Sequence, residues 1–173
     1  MEITHLGHAS HCVESSTHAL IIDPWFNTKG AFLGSWHQFP RNHSCLETVV
    51  EKSLSKDCVV FVTHSHEDHF DTETLKKLSK TIKKVVIPSY KDKTFLLQME
   101  KVGFEQLAEV SEQEVVSVGD ISFRLLIDDS GINQDSAILV EHLGIKFLNL
   151  NDCKIQDRMD QLVKEHGPID VMT

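Results

Sequence analysis

The chain has 173 residues, 40% of them apolar and 25% charged, a balance that fits a single globular domain with a sizeable core. Its net charge of −9, with eleven histidines counted neutral, argues against general binding to nucleic acid or an anionic membrane. A phosphorylated substrate stays open, because bound cations would reverse the sign locally.

Met1 begins directly in a strand-like pattern, without a charged leader, and no apolar run nears the roughly 18 residues of a membrane span. Cys12, Cys45, Cys58 and Cys153 are scattered with no Cys-x-x-Cys pair, so free thiols and a cytoplasmic location are expected. Residues 1–23 read as two or three short strands. Ile3 and His5, then His11 and Val13, alternate with their neighbours, and Ser15-Ser16-Thr17 supplies a turn before Ala19-Leu20-Ile21-Ile22. Gly7-His8-Ala9-Ser10 interrupts the first pair, where glycine permits close backbone approach. Histidines in such strands and turns are ordinarily exposed. Asp23-Pro24 ends a strand. Residues 24–43 form one long irregular stretch holding Trp25, Phe26, Phe32, Trp36 and Phe39. Five large aromatics argue against disorder. The stretch covers a site, packs on the core or meets a second subunit, and a lid on the substrate side is the favoured reading.

Ser44-x-x-Glu47 predicts a capping box for a helix with Leu46, Val49, Val50 and Leu54 inward. Cys58–Val62 reads as a buried strand and leads into His64-Ser65-His66-Glu67-Asp68-His69, before an amphipathic helix from Thr72. Three imidazoles and a carboxylate in so short a loop are unfavourable unless a cation gathers them. His64 and His66 lie two apart, so in extended backbone both rings point to one side and can share an ion. Asp68 and His69 follow the turn and can face a second. Nitrogen and oxygen donors without thiolate suit one or two divalent ions, zinc first, with manganese or iron as alternatives. Such an ion lowers the pKa of its water to about 7, and two can clamp attacking and leaving oxygens.

Leu75, Leu78 and Ile82 face inward on the next helix, and Val85-Val86-Ile87 is a buried strand ended by Pro88. A helix from about Lys91 to Val102 buries Phe95, Leu96 and Met99 and stops at Gly103. From Phe104 the period changes to two. Val116 and Val118 pair with Ile121, Phe123, Leu125 and Ile127 across Gly119-Asp120. Ala137–Val140 pairs with Ile145–Leu148 across Glu141-His142-Leu143-Gly144, with His142 as a solvated turn residue. Asp152 stands where it can N-cap a Lys154–His166 helix that buries Ile155, Met159, Leu162 and Val163. Gly167-Pro168 stops that helix, and Ile169–Met172 starts another strand.

His-x-His-x-Asp-His after an apolar strand resembles the signature of the metallo-β-lactamase-fold superfamily. Leu6-Gly7-His8-Ala9-Ser10, Ile22-Asp23-Pro24-Trp25 and Leu148-Asn149-Leu150-Asn151-Asp152-Cys153 agree with it. Together they are similar to the branch holding L-ascorbate-6-phosphate lactonase and the hydrolase-like domain of CMP-N-acetylneuraminate hydroxylase, and Asn-Asp-Cys leans toward the second. The resemblance implies an α/β fold, an αββα sandwich. Residues 1–173 would form a single metallo-hydrolase-like domain with its C-terminal part cut short. It implies that His64 and His66 hold one ion, that Asp68 and His69 hold a second, and that Asp152 bridges them. It also implies that His8 contacts substrate at the rim and that Asp23 orients a ligand histidine. Asp68 would further take a proton from the attacking water, so Asp68 and His8 are the catalytic candidates. Superfamily members usually place another metal-binding histidine near Asp128–Asp135. This chain has none there, so either Asp129 or Asp135 supplies oxygen or the site is incomplete.

The expected reaction is metal-dependent hydrolysis of an ester, lactone or phosphodiester in a small polar substrate. The alternative is an iron-dependent oxidoreductase-type domain with an electron-transfer partner. No Cys-x-His or Cys-x-x-His pair is available here for a Rieske centre. A metal-poor binding protein is a third class. The expected partner is a small molecule, not nucleic acid or membrane, and a cut-off strand edge makes a homo-oligomer an expectation.

Overall fold

The computed structural model describes residues 1–130 and 134–173. Three short strands open the chain: β1 (Glu2–Gly7), β2 (Ser10–Glu14) and β3 (His18–Ile22). Helices and strands then alternate as α1 (Cys45–Ser55), β4 (Asp57–Phe61), α2 (Thr72–Leu78), β5 (Lys84–Pro88), α3 (Thr94–Glu100) and β6 (Gln106–Val110). These six strands form one sheet in the order β1-β2-β3-β4-β5-β6, antiparallel as far as β3 and parallel from there to β6. The second sheet takes β7 (Val116–Val118), β8 (Ile121–Asp129), β9 (Gln134–His142), β10 (Ile145–Asn149) and β11 (Val171–Met172) in the order β11-β10-β9-β8-β7. A 3-10 turn at Gln156–Arg158 precedes α4 (Met159–His166).

Strand alternation sorts the side chains into three apolar layers. Val59 and Phe61 of β4 join Leu20, Ile22 and Val86 against Phe123, Leu125, Ile138, Val140 and Phe147 of the facing sheet. Val60 and Val62 point the opposite way and, with Ile21 and Val85, meet Val49, Leu75, Leu78, Phe95 and Met99 of the helices. Leu126, Ala137, Leu139 and Leu148 lie under Ile155 and Leu162 on the other outer face. Helices therefore cover both outer faces of a two-sheet stack, the αββα sandwich expected from the sequence.

Several local expectations differ. Ser44 has helical backbone (φ −65°, ψ −20°) and makes no side-chain cap bond. The N–H groups of Cys45 and Leu46 bond to the carbonyls of Asn42 and His43, so Ser44 lies within a helical turn and lacks the extended backbone that a capping box needs. Leu54 faces solvent, at 75% exposure. Helix α3 starts at Thr94 because Asp92 Oδ1 accepts from Thr94 N–H (2.7 Å) and turns the chain first. Strand β6 was hidden in the change of period, and it pairs parallel with β5 as a sheet edge. His142 is buried within β9 and bonds Asp120 Oδ2 (3.0 Å), while the turn needs only Leu143-Gly144. Helix α4 begins at Met159 with Arg158 as its N-cap, so Asp152 is not a helix cap, and Val163 is exposed. Among the described residues, no helix is long and apolar enough to cross a membrane. All four cysteines are free, and burial pushes the thiols of Cys12, Cys58 and Cys153 up to about 12, 11 and 11.

Glu14, at the end of β2, is buried against Lys52 Nζ (2.5 Å) and Lys56 Nζ (3.3 Å). Burial raises its pKa, but the two ammonium groups outweigh that and hold it below the ordinary glutamate range. Its contribution is therefore complete above the unfolded value of about 4.3 and is lost as pH falls through the lowered folded value. Both lysines keep some solvent contact, which screens the pair. Glu14→Gln should cost about 1–2 kcal/mol at pH 7, with the gap from wild type closing as urea melts are repeated down to pH 3. A pH-independent loss would assign the effect to packing.

Candidate metal centre

Five segments of chain meet at one rim of the sandwich. The β1–β2 turn brings His8, the end of β3 brings Asp23 and the loop after β4 brings residues 64–69. The start of β9 brings Asp135, and the turn after β10 brings Asp152. Parallel pairing of β3 with β4 sets Ile22 opposite Phe61, and Asp23 N–H continues the ladder to Phe61 O (3.0 Å). Asp23 then turns with φ 42°, which sends its carboxylate across to the metal loop. Its Oδ1 accepts from Thr63 N–H (2.8 Å). Its Oδ2 accepts from Thr63 Oγ1 (2.7 Å) and faces His69 Nδ1 (2.8 Å), all within a fully buried pocket. With Nδ1–H spent on Asp23, the Nε2 lone pair of His69 is left for another partner.

Two donor sets follow. The ligand atoms of His64, His66 and Asp152 lie within 4.8 Å of one another, and so do those of His8, Asp68 and His69. Asp152 Oδ2 is 3.9 Å from His64 Nε2 and 3.7 Å from His69 Nε2, between the sets. Asp135 Oδ1 is 3.1 Å from His64 Nδ1. Asp129 is turned away, its carboxylate accepting from Lys91 N–H (2.8 Å), so of the two acids considered for the missing histidine only Asp135 reaches the rim. Residues 131–133 of that stretch lie outside the described residues.

The residues present fit one or two cations. His69 Nε2 and Asp68 Oδ1 are buried without hydrogen-bond partners, and Asp135 Oδ1 meets His64 Nδ1 without the alignment of a hydrogen bond, an unfavourable state that a bound ion would relieve. His64 Nε2 faces His66 Nδ1 at 2.8 Å, where two lone pairs repel unless a proton or a metal stands between them. Burial, and then His69, lower the pKa of His64 to about 4, so its ring is neutral and able to ligate. Burial also pulls on His69, but Asp23 outweighs it and leaves the pKa raised. For Asp68 burial raises the pKa, and the bond from His8 reverses the sign. Asp135 is raised by burial and by Asp152.

The structure thus gathers His64, His66, Asp68, His69 and Asp152 at one rim. His8, expected at the rim as a substrate contact, bonds Asp68 Oδ2 at 2.9 Å and stands with the second set. The irregular stretch divides: Trp25 and Phe26 are core, whereas Phe32 and Trp36 stack edge to face and reach His66 and His8. Sequence reading passed over Thr63, whose hydroxyl sits 3.0 Å from His64 Nδ1 and whose carbonyl accepts from Tyr90 OH (2.6 Å) and Ser136 Oγ (3.2 Å). A polar residue closing an apolar strand was its only signal. Asn149 was also passed over. Its Oδ1 accepts from Asn151 N–H (3.0 Å) and its Nδ2 donates to Ala9 O (3.3 Å), linking the turns of Asp152 and His8.

Asp23→Asn should weaken metal retention by about 10–100-fold in a chelator competition, because the amide no longer accepts both Thr63 Oγ1–H and His69 Nδ1–H. Asp152→Asn should lower bound metal while changing the unfolding free energy by less than about 0.5 kcal/mol, since Asp152 is half exposed and caps no helix. Full metal content in either variant would remove that residue from the site.

Comparison with known proteins agrees with this architecture. The family model described as "Beta-lactamase superfamily domain" matches residues 2–173. A protein named "Putative Rieske 2Fe-2S iron-sulfur protein" from Mycolicibacterium smegmatis is 30% identical over 178 residues, covering 99% of this chain and 33% of its own length. Cytidine monophosphate-N-acetylneuraminic acid hydroxylase of Xenopus laevis is 28% identical over 163 residues, 88% of this chain and 26% of its own. The crystal structure of CmlA, a diiron beta-hydroxylase from Streptomyces venezuelae, superposes with a TM-score of 0.73 at 18% identity, covering 98% of this chain and 33% of that one. The chain spans about a third or less of the length of these relatives. Since the family match takes in both sheets and both donor sets, the chain belongs to the metallo-β-lactamase superfamily.

Proposed function

We propose that this chain is the metal-carrying domain of an iron-dependent oxidoreductase acting on a small polar molecule. The observation that carries the reading is the oxygen-rich donor set: Asp68, Asp135 and Asp152 stand among the imidazoles, and a carboxylate faces His64 from the second sheet. Mixed carboxylate and imidazole donors without thiolate suit iron or manganese at least as well as zinc, and they recur in di-iron proteins. The names of the M. smegmatis and X. laevis relatives, an iron–sulfur protein and a hydroxylase, support the same reading. When bound, iron supplies redox chemistry, with electrons arriving from a partner or another domain. The chain's own part is positional. Asp23 fixes the His69 ring, and His8 holds Asp68 ionised through Oδ2, leaving Oδ1 to meet either an ion or a proton. Phe32 and Trp36, 5.5 Å apart, border one side of the rim, both partly open to solvent.

A second reading, zinc-dependent hydrolysis of an ester, lactone or phosphodiester, draws on that same Asp68 Oδ1 as a general base. Elemental analysis separates the two. Freshly purified protein should hold iron in excess of zinc, and Asp135→His should shift the preference toward zinc by about tenfold as a nitrogen donor replaces oxygen. Zinc predominating in the wild type, with turnover of a phosphodiester or lactone, would move the assignment to hydrolysis.

A further inference from the structure

We infer that the cavity beside His8 binds a small organic anion carrying a planar ring, its charge met by Arg41 and its ring by Trp36. The inference rests on reading the adjoining rim as an active site. The cavity, of about 450 Å³, lies between the β1–β2 turn and the irregular stretch and is of a size that small-molecule sites use. In a chain of net charge −9, no aspartate or glutamate lines it among the described residues, while Arg41, His37 and His8 do. Arg41 is exposed and takes part in no ion pair among the described residues, whereas Lys29, Lys52 and Lys56 are each held by a glutamate. This guanidinium is therefore open to an anion from outside the chain.

Both tryptophans of the chain line the cavity. Their rings stand edge-on to His8, with centroids at 5.3 Å for Trp25 and 6.4 Å for Trp36. Trp36 is 55% exposed, a large flat surface left open at the mouth. The wall is built rather than draped. Asn42 Nδ2 donates to Leu6 O (2.8 Å) and Trp25 O (3.0 Å), and Gln38 Nε2 donates to Trp25 O (2.7 Å). Any Cβ at Gly7 (φ 110°) would run into the side chains of Gln38 and Asn42. The same wall holds an unpaired donor, Trp25 Nε1–H, and an unpaired acceptor, Gln38 Oε1. His8, which lines the cavity, bonds Asp68, so the cavity adjoins the second donor set.

Because both tryptophans border the cavity, their fluorescence reports its occupancy directly. Phenylphosphonate, methylphosphonate and benzyl alcohol separate ring and charge, and each is titrated against metal-stripped and metal-loaded protein. Phenylphosphonate should give saturable quenching in both forms, at least about tenfold tighter than either of the others. Arg41→Gln should weaken it by about tenfold, the scale of one charge-assisted hydrogen bond, and Trp36→Ala by about fivefold when followed by calorimetry. Both positions are exposed, and an unchanged circular-dichroism melt confirms that the variants fold. Equal affinity for benzyl alcohol, or an unaltered Arg41→Gln, would overturn the anionic class. Binding seen only in the metal-loaded form and lost in Asp152→Asn would place the anion on the metals, overturning the cavity assignment while leaving the metal centre standing.

Discussion

The carboxylate of Asp23 is the constraint on which the rim depends. A fully buried carboxylate is tolerable only when both its oxygens are hydrogen-bonded, and here the backbone N–H and hydroxyl of Thr63 and the ring of His69 meet them. Those contacts lock the end of β3 to the end of β4 and fix the orientation of one imidazole in a single step. The motif loop is then anchored at both ends, at Thr63 by Asp23 and at Asp71, which accepts from Glu73 N–H and the Thr74 hydroxyl at the start of α2. A loop pinned this way presents its histidines with little further ordering to undergo when a cation arrives.

The parts legible in the sequence were those whose partners are close along the chain. His64, His66, Asp68 and His69 lie within one short loop, and the alternation of β4 declares which residues face each layer. Asp23 was legible only through its place in the family pattern, since nothing local separates it from an aspartate that merely ends a strand. Contacts spanning long sequence separations were opaque. The choice of Asp135 over Asp129 depends on the β8–β9 register and on Lys91 claiming the latter. Thr63 and Asn149 draw their importance from partners that only the folded chain brings near. His142 was misjudged because the hairpin turns two residues later than its composition suggests, which carries the ring into the sheet to meet Asp120.

The two sheets contribute unequally to the chemistry. The first supplies the histidines, and its neutral or hydrogen-bonded rings are arranged before any ion binds. The second supplies Asp135 and Asp152, whose oxygens are the hard part of the donor set. A change of side chain at the start of β9 would therefore alter the oxygen half of the donor set while the imidazole half remains as it is.

Asp135 and Asp152 belong to one sheet and the imidazole donors to the other, so any ion shared among them acts as a rivet across the sandwich. Without it, three carboxylates crowd one seam, and Asp135 already feels both its burial and the charge of Asp152. An ion there would be bonded to donors from both sheets, above the apolar layer. Occupancy and cohesion would then be linked, an ion bound there adding by mass action to the packing that the apolar layer already supplies.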